Sequence, residues 1–517
     1  MEVVANKGIL IRVRRPELFT AVMDDCVCVG EADGLSELMV RWSFENVETL
    51  TRLGLKAVPS TIAKDYAWPG LYTPMSHQRE TASFIIANPK CFVFDETGTG
   101  KTSAAAWATD YLMTQKKIKR VLIVCPLSII HAAWRRDLFN VVPHRSVGIA
   151  HGTPKTRREI IRGKYQYVII NFDGIEIVLD ELMVGGFDCV IVDESNFLKT
   201  TTTQRWKTFN KLIKPETRLI MMTATPAAQS PEDAYGLAKL VCPAKVPAFF
   251  GAWKELVMQK ISMFKWIPRP RAQDLVFKAL QPAIRHTKKE CLDLPDIMYE
   301  TRDVPMTAQQ WKYYKLLKQQ MLVEAAGEEI SAVNAAAKLT KLLQVSTGNT
   351  YADNGVTIHF DASSRLSAME EIIDESLNKI IVFAPFTHTI DMIEAHLLKK
   401  KITCSVINGA VSMTKRGVVI HNFQEQPDPR VIIIQPQAAA HGITLTAADT
   451  VIWFGPTTSV ETYIQANARA HRKGQENKVT VHLLQGSPAE TKIYVALNAK
   501  IEAHEHFIEL YNDIIND

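Results

Sequence analysis

The sequence predicts an α/β chain: two tandem lobes, each built on a parallel sheet, behind a small mixed α+β domain. Three observations lead there. Strand-length apolar runs alternate with helix-length segments twice over, once in each half of the chain. A Gly-rich turn joins one such strand to the next helix, the strand, loop and helix order of a phosphate-binding unit. At 517 residues the chain is also too long for one hydrophobic core. The expected divisions are an accessory domain at 1–70, a first lobe with a helical extension at 71–295, bridging helices at 296–360 and a second lobe at 361–517.

Composition narrows the class. Apolar content of 47% and charged content of 22% suit a globular protein rather than a disordered or fibrous one. A net charge of +5 permits nucleic-acid binding without arguing for it, so local clusters must carry that case. Among eight cysteines the closest pair, Cys26 and Cys28, lacks metal-site spacing. Cys91, Cys125 and Cys189 lie in or beside apolar strands and read as reduced core thiols. No leader and no long uncharged apolar run is evident, so the expectation is a soluble intracellular protein without a membrane partner.

The elements follow in order. Strands are expected over 8–13 and 25–29 and a helix over 47–54. Arg12, Arg14 and Arg15 make a basic spot that reads as a solvated strand end before it reads as a DNA contact. A helix over 78–87 opens at Gln78, whose amide offers the donor and acceptor needed to read an adenine edge. The strand 91–94 runs into Asp95-Glu96-Thr97-Gly98-Thr99-Gly100-Lys101-Thr102. Gly98 and Gly100 let backbone N–H groups close around a polyphosphate, with Glu96, Thr97 and Thr99 completing the cradle. Lys101 reaches the terminal phosphates, Thr102 suits Mg²⁺, and the helix N-terminus adds partial positive charge. Asp95 stands where such loops usually open with glycine, so an ordinary Gly-rich turn remains the alternative.

A second strand, 121–124, ends at Cys125-Pro126-Leu127-Ser128, and Trp134 beyond it suits core packing or a phosphate contact. A third, 167–170, ends at Asn171. The fourth, 189–192, runs into Asp193-Glu194-Ser195-Asn196. Two carboxylates at the exit of a buried strand need a reason, because an unpaired charge there is costly. Metal-assisted hydrolysis supplies one: Asp193 holds Mg²⁺ through water and Glu194 orients and deprotonates the attacking water. A helix N-cap at Asp193 is the alternative. The fifth strand, 219–222, ends in Thr223-Ala224-Thr225-Pro226, small hydroxyl residues placed to sense a filled site.

From 231 to 289 the pattern is helical and less regular, with Lys265, Arg269 and Arg271 around Trp266, then Arg285-His286-Thr287-Lys288-Lys289 and Leu294-Pro295. Helices over 309–326 and 331–345 are expected to bridge the lobes. Strands over 379–383, 403–407, 430–434, 450–454 and 479–484 build the second lobe, which has no phosphate loop of its own. It carries Gly442-Ile443-Thr444-Leu445-Thr446-Ala447-Ala448-Asp449 and Gln465-Ala466-Asn467-Ala468-Arg469-Ala470-His471-Arg472-Lys473-Gly474-Gln475. Arg469 and Arg472, three apart, are expected on one helical face, and a guanidinium fork matches phosphate oxygens. A surface salt-bridge face is set aside because the first lobe's site lacks a cationic partner.

Together these residues resemble the Swi/Snf-type ATPases of helicase superfamily two, from about residue 73 to 490. Residues 95–102 resemble motif I, 193–196 motif II, 223–226 motif III, 381–386 motif IV, 442–449 motif V and 465–475 the closing arginine motif. Arg285 through Lys289 with Leu294-Pro295 resembles a further family feature. The sequence departs at Asn196, where the family usually has His, and at His441 and Thr444 around motif V.

The resemblance implies two RecA-like lobes with ATP and Mg²⁺ between them. Lys101, Asp193, Glu194, Arg469 and Arg472 would be catalytic, the two arginines arriving from the second lobe, and Gln465 would join the nucleotide-binding set. It also implies translocation on double-stranded or branched DNA, of an annealing or fork-remodelling kind known from compact bacterial and phage members. Ser128, Asn171, Lys199, Thr200, Thr387, His388, Asn408 and Thr446 are the candidate DNA-backbone contacts, so binding should be salt-dependent and largely sequence-independent. Lys116-Lys117 and Lys399-Lys400-Lys401 read as solvated helix ends. A strand-separating helicase, and an ATP-gated adaptor of RNA polymerase or a replication partner, stay open. A monomer is expected, in the cytoplasm of a bacterial or phage-infected cell, or in the nucleus if the source is eukaryotic.

Overall fold

The computed structural model describes residues 1–55, 58–127, 129–224, 230–261, 266–291, 294–327, 332–351, 357–439 and 443–498. The chain divides into two units, Met1–Cys291 and Leu292–Asp517.

The first unit opens with an antiparallel sheet of β1 (Glu2–Val4), β2 (Gly8–Val13), β3 (Cys26–Ala32) and β4 (Leu35–Arg41), in the order β1-β2-β4-β3. Alternate residues of β2 and β4, Ile9, Ile11, Leu38 and Val40, bury on one face, where Val47 and Leu50 of the helix Phe44–Arg52 cover them. On the other face Arg12 pairs with Glu37 at 2.8 Å across the register. Arg12 remains half-exposed in that pair. Trp42 Nε1 donates to the Pro59 carbonyl at 2.8 Å and Lys64 Nζ to the Trp42 carbonyl at 3.1 Å. Thr61 Oγ1 meets Tyr111 OH at 2.6 Å on the helix Lys101–Thr114. The sheet is thereby tied to the helix that follows the Gly98–Gly100 loop.

The rest of this unit is one seven-stranded parallel sheet. Its strands are β5 (Lys90–Val93), β6 (Val121–Cys125), β7 (Val147–Ile149), β8 (Tyr167–Asn171), β9 (Cys189–Asp193) and β10 (Arg218–Met222). After the hairpin of β11 (Met258–Lys260) and β12 (Trp266–Pro268) comes the last strand, β13 (Ala283–Ile284). The order is β13-β5-β10-β9-β6-β8-β7. Helices cover the sheet, so strand residues on both faces are buried, and β6 and β8 are buried along their whole lengths.

The second unit holds a six-stranded parallel sheet in the order β14-β21-β20-β17-β19-β18. Its strands are β14 (Ile297–Asp303), β17 (Lys379–Phe383), β18 (Cys404–Ile407), β19 (Val431–Ile434), β20 (Ala448–Trp453) and β21 (Val479–Gln485); β15 (Asn349–Tyr351) and β16 (Thr357–His359) form a separate hairpin. Successive residues of β17 feed opposite cores: Ile381 and Phe383 join Trp453 and Tyr463, while Ile380 and Val382 join Ile372 and Ile393. The helices expected to bridge the lobes, Ala308–Gly327 and Ala332–Ser346, pack inside this unit, where Tyr314, Leu342 and Leu343 meet Phe360 and Ala489. A fully buried ion pair fixes its centre. Arg365 meets both oxygens of Glu490, at 2.7 and 2.8 Å, and donates to the Phe454 carbonyl at 2.6 Å. Glu490 also accepts from the Gly486 and Ser487 N–H groups at 2.8 and 3.1 Å.

Candidate active site

In the first unit β5 ends at Val93 and the helix Lys101–Thr114 starts eight residues later, leaving the loop to bridge them. Gly98 and Gly100 adopt φ of +95° and +88°, a region closed to most side chains. At Gly100 a Cβ would also lie 2.0 Å from Gln78 Nε2. Thr99 Oγ1 donates to the Glu96 carbonyl at 2.8 Å, closing the loop on itself. Lys101 Nζ donates to the carbonyls of Asp95 and Glu96 at 2.6 and 3.1 Å. Burial pulls the Lys101 pKa down, while the charges of Asp193, Glu194, Asp95 and Glu96 hold it up.

Asp193 closes β9, separated from β5 by β10 alone. Burial raises its pKa, against the charge of Lys101 and hydrogen bonds from Trp134 and the Glu194 N–H. Trp134 Nε1 donates to Asp193 Oδ2 at 2.9 Å and Glu194 N to Oδ1 at 3.0 Å. Trp134 is therefore both a core residue and the group that aims Asp193. Glu194 takes φ +56°, an uncommon conformation for a side chain of its kind, at the turn that leaves the strand. Asp193 is not a side-chain cap of the short turn Ser195–Leu198, which sets the N-cap alternative aside.

Gln78 lies inside the helix Ser76–Ala87. Its amide donates to the Thr99 and Gly100 carbonyls at 3.3 and 3.4 Å and accepts from Met75 N at 3.0 Å. His77 Nε2 bonds the Thr99 carbonyl at 2.8 Å. Both side chains support the loop from outside. Glu96 accepts from the Lys288 N–H at 3.0 Å and meets Arg285 at 3.5 Å, so the segment after β13 wraps the loop.

In the second unit the helix Val460–Asn467 stops before the arginines. Arg469 and Arg472 do not share a helical face. The chain leaves the helix in tight turns, with Ala470 N donating to Asn467 O at 3.3 Å and Gln475 N to Arg472 O at 3.0 Å. Their guanidinium groups still converge, because both donate to the Ile443 carbonyl, at 3.5 and 3.0 Å. Gln475 locks this turn to the preceding loop, donating to Ala448 O at 2.8 Å and to Thr446 O and Ala470 O at 3.2 Å. Gln465 is buried and donates to Glu461 Oε1 at 3.3 Å.

The DNA-contact candidates part company. Thr200 and Thr387 are exposed, Asn408 and Thr446 half-buried, and Lys199 pairs with Asp233 at 3.1 Å. Asn171 and His388 are corrected: both are buried. Arg157 holds the Asn171 amide oxygen at 3.0 Å, and His388 stacks on Phe386, so neither presents a side chain to a phosphate. Lys116 and Lys117 are exposed, as expected of a solvated helix end, and Lys117 also meets Glu48 at 3.4 Å and lies over the Phe44 ring. Ser128, Thr225, Pro226, Lys265, His441 and Gly442 lie outside the described residues.

The chain matches two known family models. Residues 38–349 match the SNF2-related domain and residues 364–474 the helicase conserved C-terminal domain. The chain belongs to the SNF2-related family. It is therefore a member of a family of ATP-dependent, helicase-like enzymes. This SNF2-related chain is 26% identical over 417 residues to an uncharacterized ATP-dependent helicase of Mycoplasma genitalium, covering 79% of this chain and 39% of that protein. It is 27% identical over 427 residues to the SWI/SNF-related matrix-associated actin-dependent regulator of chromatin subfamily A-like protein 1 of Xenopus laevis, covering 79% and 41%. It is 26% identical over 440 residues to the human DNA annealing helicase and endonuclease ZRANB3, covering 80% and 38%. The chain thus spans about two fifths of the length of these relatives. A solved Sulfolobus solfataricus SWI2/SNF2 ATPase core in complex with dsDNA is 22% identical, with a TM-score of 0.43, covering 85% of this chain and 94% of that one.

No helix among the described residues is long and apolar enough to cross a membrane.

Proposed function

We propose that this chain is a DNA-stimulated ATPase that moves on double-stranded or branched DNA and remodels DNA or protein–DNA complexes. One observation carries the reading: Lys101 rests on the carbonyls of a glycine loop, within electrostatic reach of a half-buried acidic pair at a nearby strand exit. A lysine held by neutral carbonyls can exchange them for phosphate oxygens, which bind it more strongly. The name of the human relative, a DNA annealing helicase and endonuclease, supports DNA as the second ligand.

In this reading Gly98, Thr99 and Gly100 present backbone N–H groups to the phosphates, flanked by Glu96 and Thr97. Gln78 keeps the loop shaped, and reading an adenine edge would require its amide to leave the loop carbonyls. The hydroxyl of Thr102 and the carboxylate of Asp193 are hard oxygen donors, and a half-buried carboxylate beside one lysine suits a cation; together they would hold Mg²⁺. Bound there, the ion would neutralise phosphate charge. Glu194, turned at φ +56° from the strand end, orients the attacking water and takes its proton. Arg472 and Arg469 supply positive charge to the transferring phosphoryl group, a contribution worth roughly 10³–10⁵ in rate. Lys199, Thr200, Thr387, Asn408 and Thr446 contact the DNA backbone.

The test is ATP turnover against single-stranded, duplex and branched DNA. Stimulation by naked duplex or branched DNA supports the motor. Stimulation by a protein partner alone would make the chain an adaptor. Release of a strand from a short duplex would make it a strand-separating helicase, whereas a translocase displaces a triplex strand and leaves the duplex paired.

A further inference from the structure

Asp95 stands at the loop position usually given to glycine, and its carboxylate is 2% exposed. It accepts from Thr81 Oγ1 at 2.8 Å and meets His286 Nδ1 at 3.0 Å. The other ring nitrogen, His286 Nε2, meets Glu80 Oε2 at 3.2 Å. A carboxylate at each nitrogen needs a donor at each, which only the doubly protonated ring supplies. The His286 carbonyl accepts from Glu96 N at 3.0 Å. His286 thus grips two consecutive loop residues, and the carbonyls of those same two residues carry Lys101.

We propose that His286 is a positioning residue of the phosphate loop, whose imidazolium holds Asp95 and keeps Lys101 placed for the nucleotide. The proposal rests on the nucleotide reading of this loop.

The charges around the ring agree with the geometry. Asp95 and Glu96 face it from the loop. Glu80 faces it from the helix Ser76–Ala87, with the His77 ring at 5.7 Å. Arg285, Lys288, Glu290 and Cys291 stand on its own segment, and the Cys291 thiol is pushed up to about 12 by burial and by Asp95, so it stays neutral. Burial pulls the His286 pKa down, but the hydrogen bonds and charges of Asp95 and Glu80 outweigh it, and the pKa ends above the ordinary 6.5. A raised folded-state pKa means that the latch is complete below 6.5 and is lost as pH rises through the folded value.

The experiment uses the full chain with saturating duplex DNA. KM and kcat for ATP are measured from about pH 5.5 to 9 for wild type, His286→Gln and His286→Arg, after thermal melting shows that each variant is folded. Wild-type KM should climb on the alkaline side. His286→Gln should show a KM raised about tenfold at low pH with no such climb, as expected for losing a charged hydrogen bond. His286→Arg, charged throughout, should keep a low and flat KM. A histidine-selective NMR titration should place His286 above 6.5 in wild type, and lower in Asp95→Asn. A wild-type KM profile in His286→Gln, or a His286 pKa at or below 6.5, overturns the proposal. If wild type turns over no ATP, the nucleotide reading fails, and the NMR titration still decides whether the latch exists.

Discussion

Gly100 concentrates two constraints at one atom. Its φ is +88°, and the space where a Cβ would sit is filled by Gln78 Nε2. Gln78 cannot swing aside cheaply, because its amide bonds two loop carbonyls and the Met75 N–H. Gly100→Ala should therefore cost about 1–3 kcal/mol in strain and weaken ATP binding, measured by thermal melting and nucleotide titration. Arg472→Ala should bind ATP as wild type does and turn it over at least about 10³-fold more slowly. Loss of ATP binding in that variant would make Arg472 a structural residue instead. The candidate residues were easiest to single out where a motif is local: Lys101 opens the helix after a glycine loop, and Asp193 and Glu194 sit at the exit of β9. The partners that aim them were not. Trp134 reaches Asp193 across 59 positions of sequence, and His286 reaches Asp95 across 191. No spacing rule connects residues so far apart.

At the scale of elements, the central strands were readable because a parallel sheet covered on both faces demands unbroken apolar runs. β6, β8 and β19 are buried at every position. Three edge strands, unlike the edge strand β18, escaped for the opposite reason. β13 has two residues and β7 three, too short to show a period. β14 reads Ile-Met-Tyr-Glu-Thr-Arg-Asp and is largely exposed, so composition placed it outside the sheet. The arginine turn was misread as helix because a three-residue spacing fits a helical face, whereas the helix stops at Asn467 and Gln475 fastens the turn from outside. The Arg365–Glu490 pair gives this sheet its own test. Each partner is fully enclosed, so Glu490→Ala leaves a buried guanidinium without its counter-charge and should destabilise the second unit by about 3–5 kcal/mol in chemical denaturation. An unchanged midpoint would mean that the Arg365 guanidinium relaxes onto the Phe454 carbonyl at little cost.

For the whole molecule, a net charge of +5 is too small to attract DNA by itself. In the proposed function, binding would then depend on local contacts at Lys199, Thr200, Thr387, Asn408 and Thr446, and on main-chain groups beside them. The affinity for duplex DNA should fall linearly on a log–log plot against salt, with little dependence on sequence. A salt-independent affinity would point away from phosphate contacts. The measurement closest to the central claim is the ATP hydrolysis rate of the full chain and of Lys101→Ala, each with and without duplex DNA. Wild type should be stimulated by the duplex, and Lys101→Ala should fold normally yet hydrolyse no ATP in either condition. Hydrolysis by Lys101→Ala at the wild-type rate, or a wild-type rate indifferent to every naked DNA offered, would contradict a DNA-stimulated ATPase built on this loop.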